Sequence, residues 1–133
     1  MYVSDYAGEL KFQFDQDGRG FSCLDISDNN DMIASDDLSA VKIYSIEGNV
    51  KFTMKVPEDH EVLRAVFHHG IGKIIVLTYV RKQDSWFLLG YSEKGELENS
   101  VFLTKVEYVW QVDIKSHSNG AFAVKVGESI TFI

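Results

Sequence analysis

The sequence predicts an all-β fold built from repeated units of four strands, and three observations predict it. Turn-and-strand segments recur at a period in the forties, and Val, Ile, Phe and Tyr dominate the stretches between them. No window holds apolar residues at the sustained i, i+3, i+4, i+7 spacing of a helix face. Gly8-Glu-Leu-Lys-Phe-Gln-Phe, Gly48-Asn-Val-Lys-Phe-Thr-Met and Gly95-Glu-Leu-Glu-Asn-Ser-Val begin 40 and 47 residues apart. A second set, aligned on Leu24, Val66 and Val112, recurs after 42 and 46 residues, and a third, on Met32, Ile74 and Phe122, after 42 and 48. Four short antiparallel strands at this period describe one blade of a β-propeller.

The elements follow in order. Residues 1–4 read as the end of a third strand, and residues 9–15 as a complete outer strand. A first blade spans 21–56, with strands at Phe21–Ser27, Met32–Ser35, Val41–Ile46 and Val50–Val56. Its turns, Ser27-Asp-Asn-Asn-Asp31 and Glu47-Gly48-Asn49, use residues that bond their own main chain or accept left-handed backbone. A second blade spans 62–103, with strands at Leu63–His69, Lys73–Val80, Trp86–Ser92 and Leu97–Leu103. Residues 109–133 give strands at Val109–Ser116, Ala121–Val126 and Ile130–Ile133, a blade without its fourth strand. Ile74-Ile-Val-Leu, apolar throughout, suits a strand covered on both faces by neighbouring blades. Leu10, Phe12 and Phe14, and likewise Val50, Phe52 and Met54, alternate with polar residues and suit outer strands with one wet face.

Composition excludes several classes. The chain has 133 residues, 45% of them hydrophobic, which is too apolar for a disordered segment and of a length for one domain. A net charge of −7 and the lack of a Lys/Arg cluster speak against nucleic acid as partner. No run approaches the roughly 18 apolar residues of a membrane span. The opening residues carry neither a basic segment nor an apolar h-region, and the one Cys, Cys23, fits a reducing compartment, so a cytoplasmic location is expected.

The blade formula resembles that of NHL-repeat propellers. The residues carrying the resemblance are Ser4-Asp-Tyr-Ala-Gly-Glu-Leu-Lys-Phe-Gln-Phe14 and Gly18-Arg-Gly-Phe-Ser-Cys-Leu-Asp-Ile26. It extends over nearly the whole chain but departs in the middle, where Phe67-His68 stands in place of Asp-Ile and Glu98-Asn99 in place of Lys-Phe. The resemblance implies a six-bladed ring that acts as a binding scaffold. The RING and B-box domains that accompany such propellers in some animal proteins have no counterpart here.

Two complete blades and a split one amount to about three blade equivalents, and closed propellers normally have four to eight. The expectation is therefore a homodimer with six blades, in which the 9–15 strand of one chain completes the 109–133 blade of the other. The assembly candidates are Leu10, Phe12 and Phe14 on the donated strand, and Ile130, Phe132 and Ile133 on the edge that receives it. An edge left unpaired would expose apolar residues and backbone hydrogen-bonding groups.

Candidate chemistry is sparse. Asp15-Gln-Asp-Gly-Arg-Gly20 begins like a calcium loop but lacks its later ligands, and reads as a turn between blades. Asp28, Asp31, Asp36 and Asp37 sit at strand ends as ordinary turn residues. His60, His68, His69 and His117 lack metal-ligand spacing, and His68 and His69, adjacent in a strand, face opposite ways. Gly70-Ile-Gly-Lys73 lacks the remainder of a phosphate loop, and Arg81-Lys82-Gln-Asp84 reads as a polar hairpin. Trp86, Trp110, Tyr44, Tyr79, Tyr91 and Tyr108 are expected to pack between blades. Of the inner-strand positions, Asp25 and Asp113 match, with Phe67 interrupting the series. The sequence therefore predicts a non-enzymatic scaffold that binds itself and is open to a further, unidentified protein partner, with no catalytic residue, metal or cofactor. The alternatives are a metal-dependent six-bladed hydrolase or lyase, and an engineered or duplicated assembly unit without a ligand.

Overall fold

The computed structural model describes residues 2–4, 10–13, 24–27, 31–35, 39–68, 72–116 and 121–132. Every element among them but one is a strand. β1 (Tyr2–Ser4) and β2 (Leu10–Gln13) form a two-stranded sheet. β3 (Leu24–Ile26), β4 (Met32–Ser35), β5 (Ala40–Tyr44) and β6 (Val50–Lys55) form a four-stranded antiparallel sheet in chain order. β7 (His60–His68), β8 (Lys73–Val80), β9 (Ser85–Tyr91) and β10 (Leu97–Lys105) form a second one in the same order. β11 (Val112–Ser116), β12 (Phe122–Val126) and β13 (Ser129–Phe132) form a three-stranded sheet. The remaining element is a single 3-10 turn, Arg81–Gln83, closed by Asp84 in left-handed conformation, within the connection that the sequence reads as a polar hairpin.

The three larger sheets stack as blades of an unclosed, propeller-like arc. The inner strand β7 lies between β3 and β11 and touches both. One core fills the junction of the first and second blades: Ile33, Val41, Ile43 and Met54 meet Ala65, Phe67, Ile74, Val76, Leu89 and Tyr91. A second fills the next junction, where Leu63, Leu77, Tyr79, Trp86 and Leu88 meet Val112, Ile114, Val124 and Val126. β8 belongs to both, since Ile74 and Val76 face one way and Leu77 and Tyr79 the other. Its continuous apolar run follows from that double covering, at about 1.5–3 kcal/mol for each large side chain removed from water.

The outer turns show local sequence setting local structure. Ser45 and Ser92 each accept an N–H from the glycine three residues on, Gly48 or Gly95, and each donates to the residue four on, Asn49 or Glu96. The Ser hydroxyls accept the amides of Asn49 (3.3 Å) and Glu96 (3.2 Å) in the same way. Gly95 holds φ +86°, a conformation costly for any residue with a Cβ.

The structure corrects one part of the repeat alignment. Tyr44 pairs with Met32, which pairs with Ile26, while Tyr91 pairs with Ile74, which pairs with Phe67. Because Tyr44-Ser45 and Tyr91-Ser92 start equivalent turns, Ile26 corresponds to Phe67, and Asp25 to Val66. The alignment of Leu24 with Val66 was one residue out. Strand ends move modestly too: β7 begins three residues before Leu63, and Leu63 is the extra residue of a bulge opposite β8.

Candidate assembly interface

The junction between the first two blades shows what a completed interface contains. The Asp25 carboxylate accepts the main-chain N–H of Phe67 at 2.9 Å, linking the inner strands β3 and β7. On the outside, the Tyr91 hydroxyl donates to the Lys55 carbonyl at 3.1 Å, and the outer strand β6 lays Phe52 and Met54 against the Gly95 turn. Met54 is fully buried there. Inner latch, apolar middle and outer strand are all present.

The next junction is built differently. Among the described residues its inner end has no counterpart of the Asp25 latch, because Val66 takes the equivalent position and the Ile114 amide, which corresponds to that of Phe67, goes to the Asp113 carboxylate of its own strand at 2.8 Å. It is closed instead by aromatic rings: Tyr79 lies 4.9 Å from Trp86, Tyr108 stacks on Trp86 at 6.1 Å, and the Arg81 guanidinium sits 5.3 Å from the Tyr108 ring. The Trp86 indole donates to the Val106 carbonyl at 3.2 Å, and Gly127 N–H donates to the Gln111 carbonyl at 2.8 Å, anchoring the 106–111 connection. Of the aromatic residues expected between blades, Tyr44, Tyr79, Tyr91 and Trp86 are buried and Tyr108 is half-buried. Trp110 departs from that expectation. It stands 79% exposed, edge-on to Tyr108, because it ends the connection instead of facing the core.

Among the described residues, nothing covers the outer half of this second junction. A groove of about 260 Å³ runs between β10 and the β12–β13 hairpin, lined by Leu103, Thr104, Val124, Val126, Ser129, Ile130 and Thr131. Beside it, Ile130 and Phe132 on β13 are 58% and 80% exposed, and Val101 on β10 is 46% exposed. In the first two blades the place beyond the third strand is taken by β6 or β10. Among the described residues, β13 has a partner only on its β12 side.

Four of the six assembly candidates lie within the described residues. Ile130 and Phe132 share β13 at the open edge, whereas Leu10 and Phe12 lie on β2, whose ladder partner is β1. Phe14 and Ile133 lie outside the described residues. Strand pairing thus brings Leu10 and Phe12 to β1 within the chain, and not to β13. Alternation in the sequence marked these rows as apolar edges, but strand pairing is a long-range property that no local pattern encodes.

The polar candidates that are described have structural partners. His60 Nδ1 is 2.8 Å from Thr78 Oγ1 with its ring tilted over Phe87, and burial holds its pKa below the usual imidazole value, partly offset by the Asp59 carboxylate. Asp31 pairs with Lys51 at 2.8 Å, and Asp84 accepts the Tyr79 hydroxyl at 2.6 Å, a bond that raises the tyrosine pKa. Asp113 caps the Ile114 amide at 2.8 Å and pairs loosely with Lys115. His69, His117, Asp15, Asp17, Asp28, Asp36 and Asp37 lie outside the described residues, as do Gly70 and Ile71. Among the described residues, no three His, Cys, Asp or Glu side chains gather where they could hold a metal ion. No described helix is long and apolar enough to cross a membrane.

Comparison with known proteins places this architecture. No family model matches the chain, and no curated protein matches it. Among solved structures it is similar to a protein of unknown function from Bacteroides caccae (TM-score 0.63, 16% identity, 89% of this chain and 43% of that one). It is also similar to BamB from Moraxella catarrhalis (TM-score 0.57, 14% identity, 92% and 38%) and to a streptogramin B lyase (TM-score 0.57, 11% identity, 96% and 45%). The chain therefore spans less than half the length of these structures. At such identities the likeness is one of fold. It supports a distantly related, partial, propeller-like all-β domain, and does not single out the NHL type.

Proposed function

We propose that the chain is a non-enzymatic β-propeller scaffold, a protein-interaction module that completes its ring by self-association. The observation carrying this reading is the β13 edge, which among the described residues pairs only with β12 and leaves Ile130 and Phe132 exposed beside a groove of about 260 Å³. An unpaired edge with apolar side chains favours addition of another strand. A six-bladed homodimer supplies one, by adding the β2 segment of each copy to β13 of the other and joining the blades in a closed ring. The polar groups described favour a scaffold over a hydrolase or lyase: His60, Asp25, Asp31 and Asp84 are each engaged in holding a strand, a turn or a junction. Streptogramin B lyase shares the fold at 11% identity, which carries no residue of its chemistry over. Rigid strands and clustered loops suit a propeller to binding a further protein as well. Molar mass by light scattering tests the reading: a species of twice 15.1 kDa is expected, and a chain that stays at 15.1 kDa at every concentration overturns it.

A further inference from the structure

Three outer hairpins in this chain share one register. In the first blade Ile43 pairs with Phe52 and Tyr44 with Val50, leaving Lys51 as a bulge. In the second, Gly90 pairs with Asn99 and Tyr91 with Leu97, leaving Glu98. At the start of the chain Val3 pairs with Phe12 and Ser4 with Leu10, leaving Lys11 at the same place. A bulge fixes where a pair of strands can align, so a shared bulge marks shared roles. β1 is thus a third strand and β2 its fourth. β13 is a third strand as well, reached from the inner strand through β11 and β12. On the self-assembly reading, β2 is therefore the fourth strand claimed by two third strands, its own β1 and the β13 of a second copy. Both need the same edge of β2.

We infer that Tyr2–Ser4 is a built-in competitor for the assembly strand, and that a second copy joins by exchanging its β13 for β1 along Leu10–Gln13. This rests on the self-assembly reading above and specifies its route. The exchange has a direction. β1 gives β2 a two-stranded sheet, which is marginal in water, whereas β13 gives it the fourth place in a sheet already packed on the second blade. β13 has four residues against three for β1. The groove beside β13 has room for the side chains of an added strand: about 150 Å³ already holds a benzene ring, and the groove offers about 260 Å³. Its lining of Leu103, Val124 and Val126 with Thr104, Ser129 and Thr131 suits mixed apolar and polar side chains. Chains must therefore open a strand pair before they associate, which makes assembly slower than simple docking.

Val3→Pro in the full chain tests the exchange, because proline removes the N–H of its position and weakens pairing of β1 without touching β13. Losing one or two main-chain hydrogen bonds from the competing pair should tighten the dimer about tenfold in Kd. Hydrogen exchange on the unaltered chain gives a second reading: the Tyr2–Ser4 amides should lose protection on dimerisation while those of Ile130–Phe132 gain it. A dimer whose Kd is unchanged or weaker in Val3→Pro, or whose Tyr2–Ser4 amides stay protected, overturns the exchange and leaves self-assembly standing. If neither chain dimerises at any concentration, both readings fall.

Discussion

Single side chains decide how the blades are fastened. Asp25 reaches across to the Phe67 amide, a hydrogen bond to an ionised acceptor of the stronger kind. His60 acts through its protonation state. Its ring bonds Thr78 at the start of the second blade, and burial lowers its pKa against a smaller opposing effect of Asp59. A basic group with a lowered pKa binds fewer protons folded than unfolded, so stability rises with pH between the two values. The contribution is therefore complete above the ordinary imidazole pKa of about 6.5 and is lost progressively as the pH falls below it. His60→Asn keeps a polar atom near the Nδ1 position and cannot titrate. The thermal midpoint of the natural chain should drop between pH 7.5 and 5.5, and the drop should shrink in the variant. Equal drops in both chains would assign the acid sensitivity to other groups.

Strands and turns repeat because a few positions force them to. Gly95 is the clearest case: φ is +86°, and a Cβ there would lie 2.8 Å from two ring carbons of Phe52, in the first blade. Gly127 also has positive φ, but its Cβ would meet Val109 no closer than 3.7 Å. Gly127→Ala should thus cost about 1–2 kcal/mol for left-handed backbone alone, and Gly95→Ala a further 1 kcal/mol or more, roughly, as the blade junction gives way. Urea midpoints of the two variants check the order. Turn chemistry of this kind was legible in the sequence: Gly48 and Gly95, which open repeated segments, mark both outer turns, and most strands fall within a few residues of where alternation places them. The facing of the second blade's inner strand was not legible, although the strand itself was, and the reason is physical. Ala65, Phe67 and Val66 are apolar in succession because blades cover β7 from both sides, so period two vanishes and its facing cannot be read. Trp110 was missed for the opposite reason, since an aromatic residue beside a strand gives no sign that the strand begins only after it.

At the scale of the whole molecule the two blade junctions contrast with the open edge, and Phe132 is the residue on which that contrast can be measured. It is 80% exposed, so Phe132→Asp removes little packing from the single chain, whose stability should change by no more than about 0.5 kcal/mol. In the proposed ring the same position would lie beside the strand received from the second copy and be covered by the blade that follows. A carboxylate buried there without a partner costs several kcal/mol, roughly, and should abolish the dimer while leaving the monomer folded. Light scattering should then report 15.1 kDa, with the circular dichroism and thermal midpoint of the single chain retained. Loss of fold would mean that Phe132 already packs within one chain. A folded, fully dimeric variant would move the contact between copies away from β13.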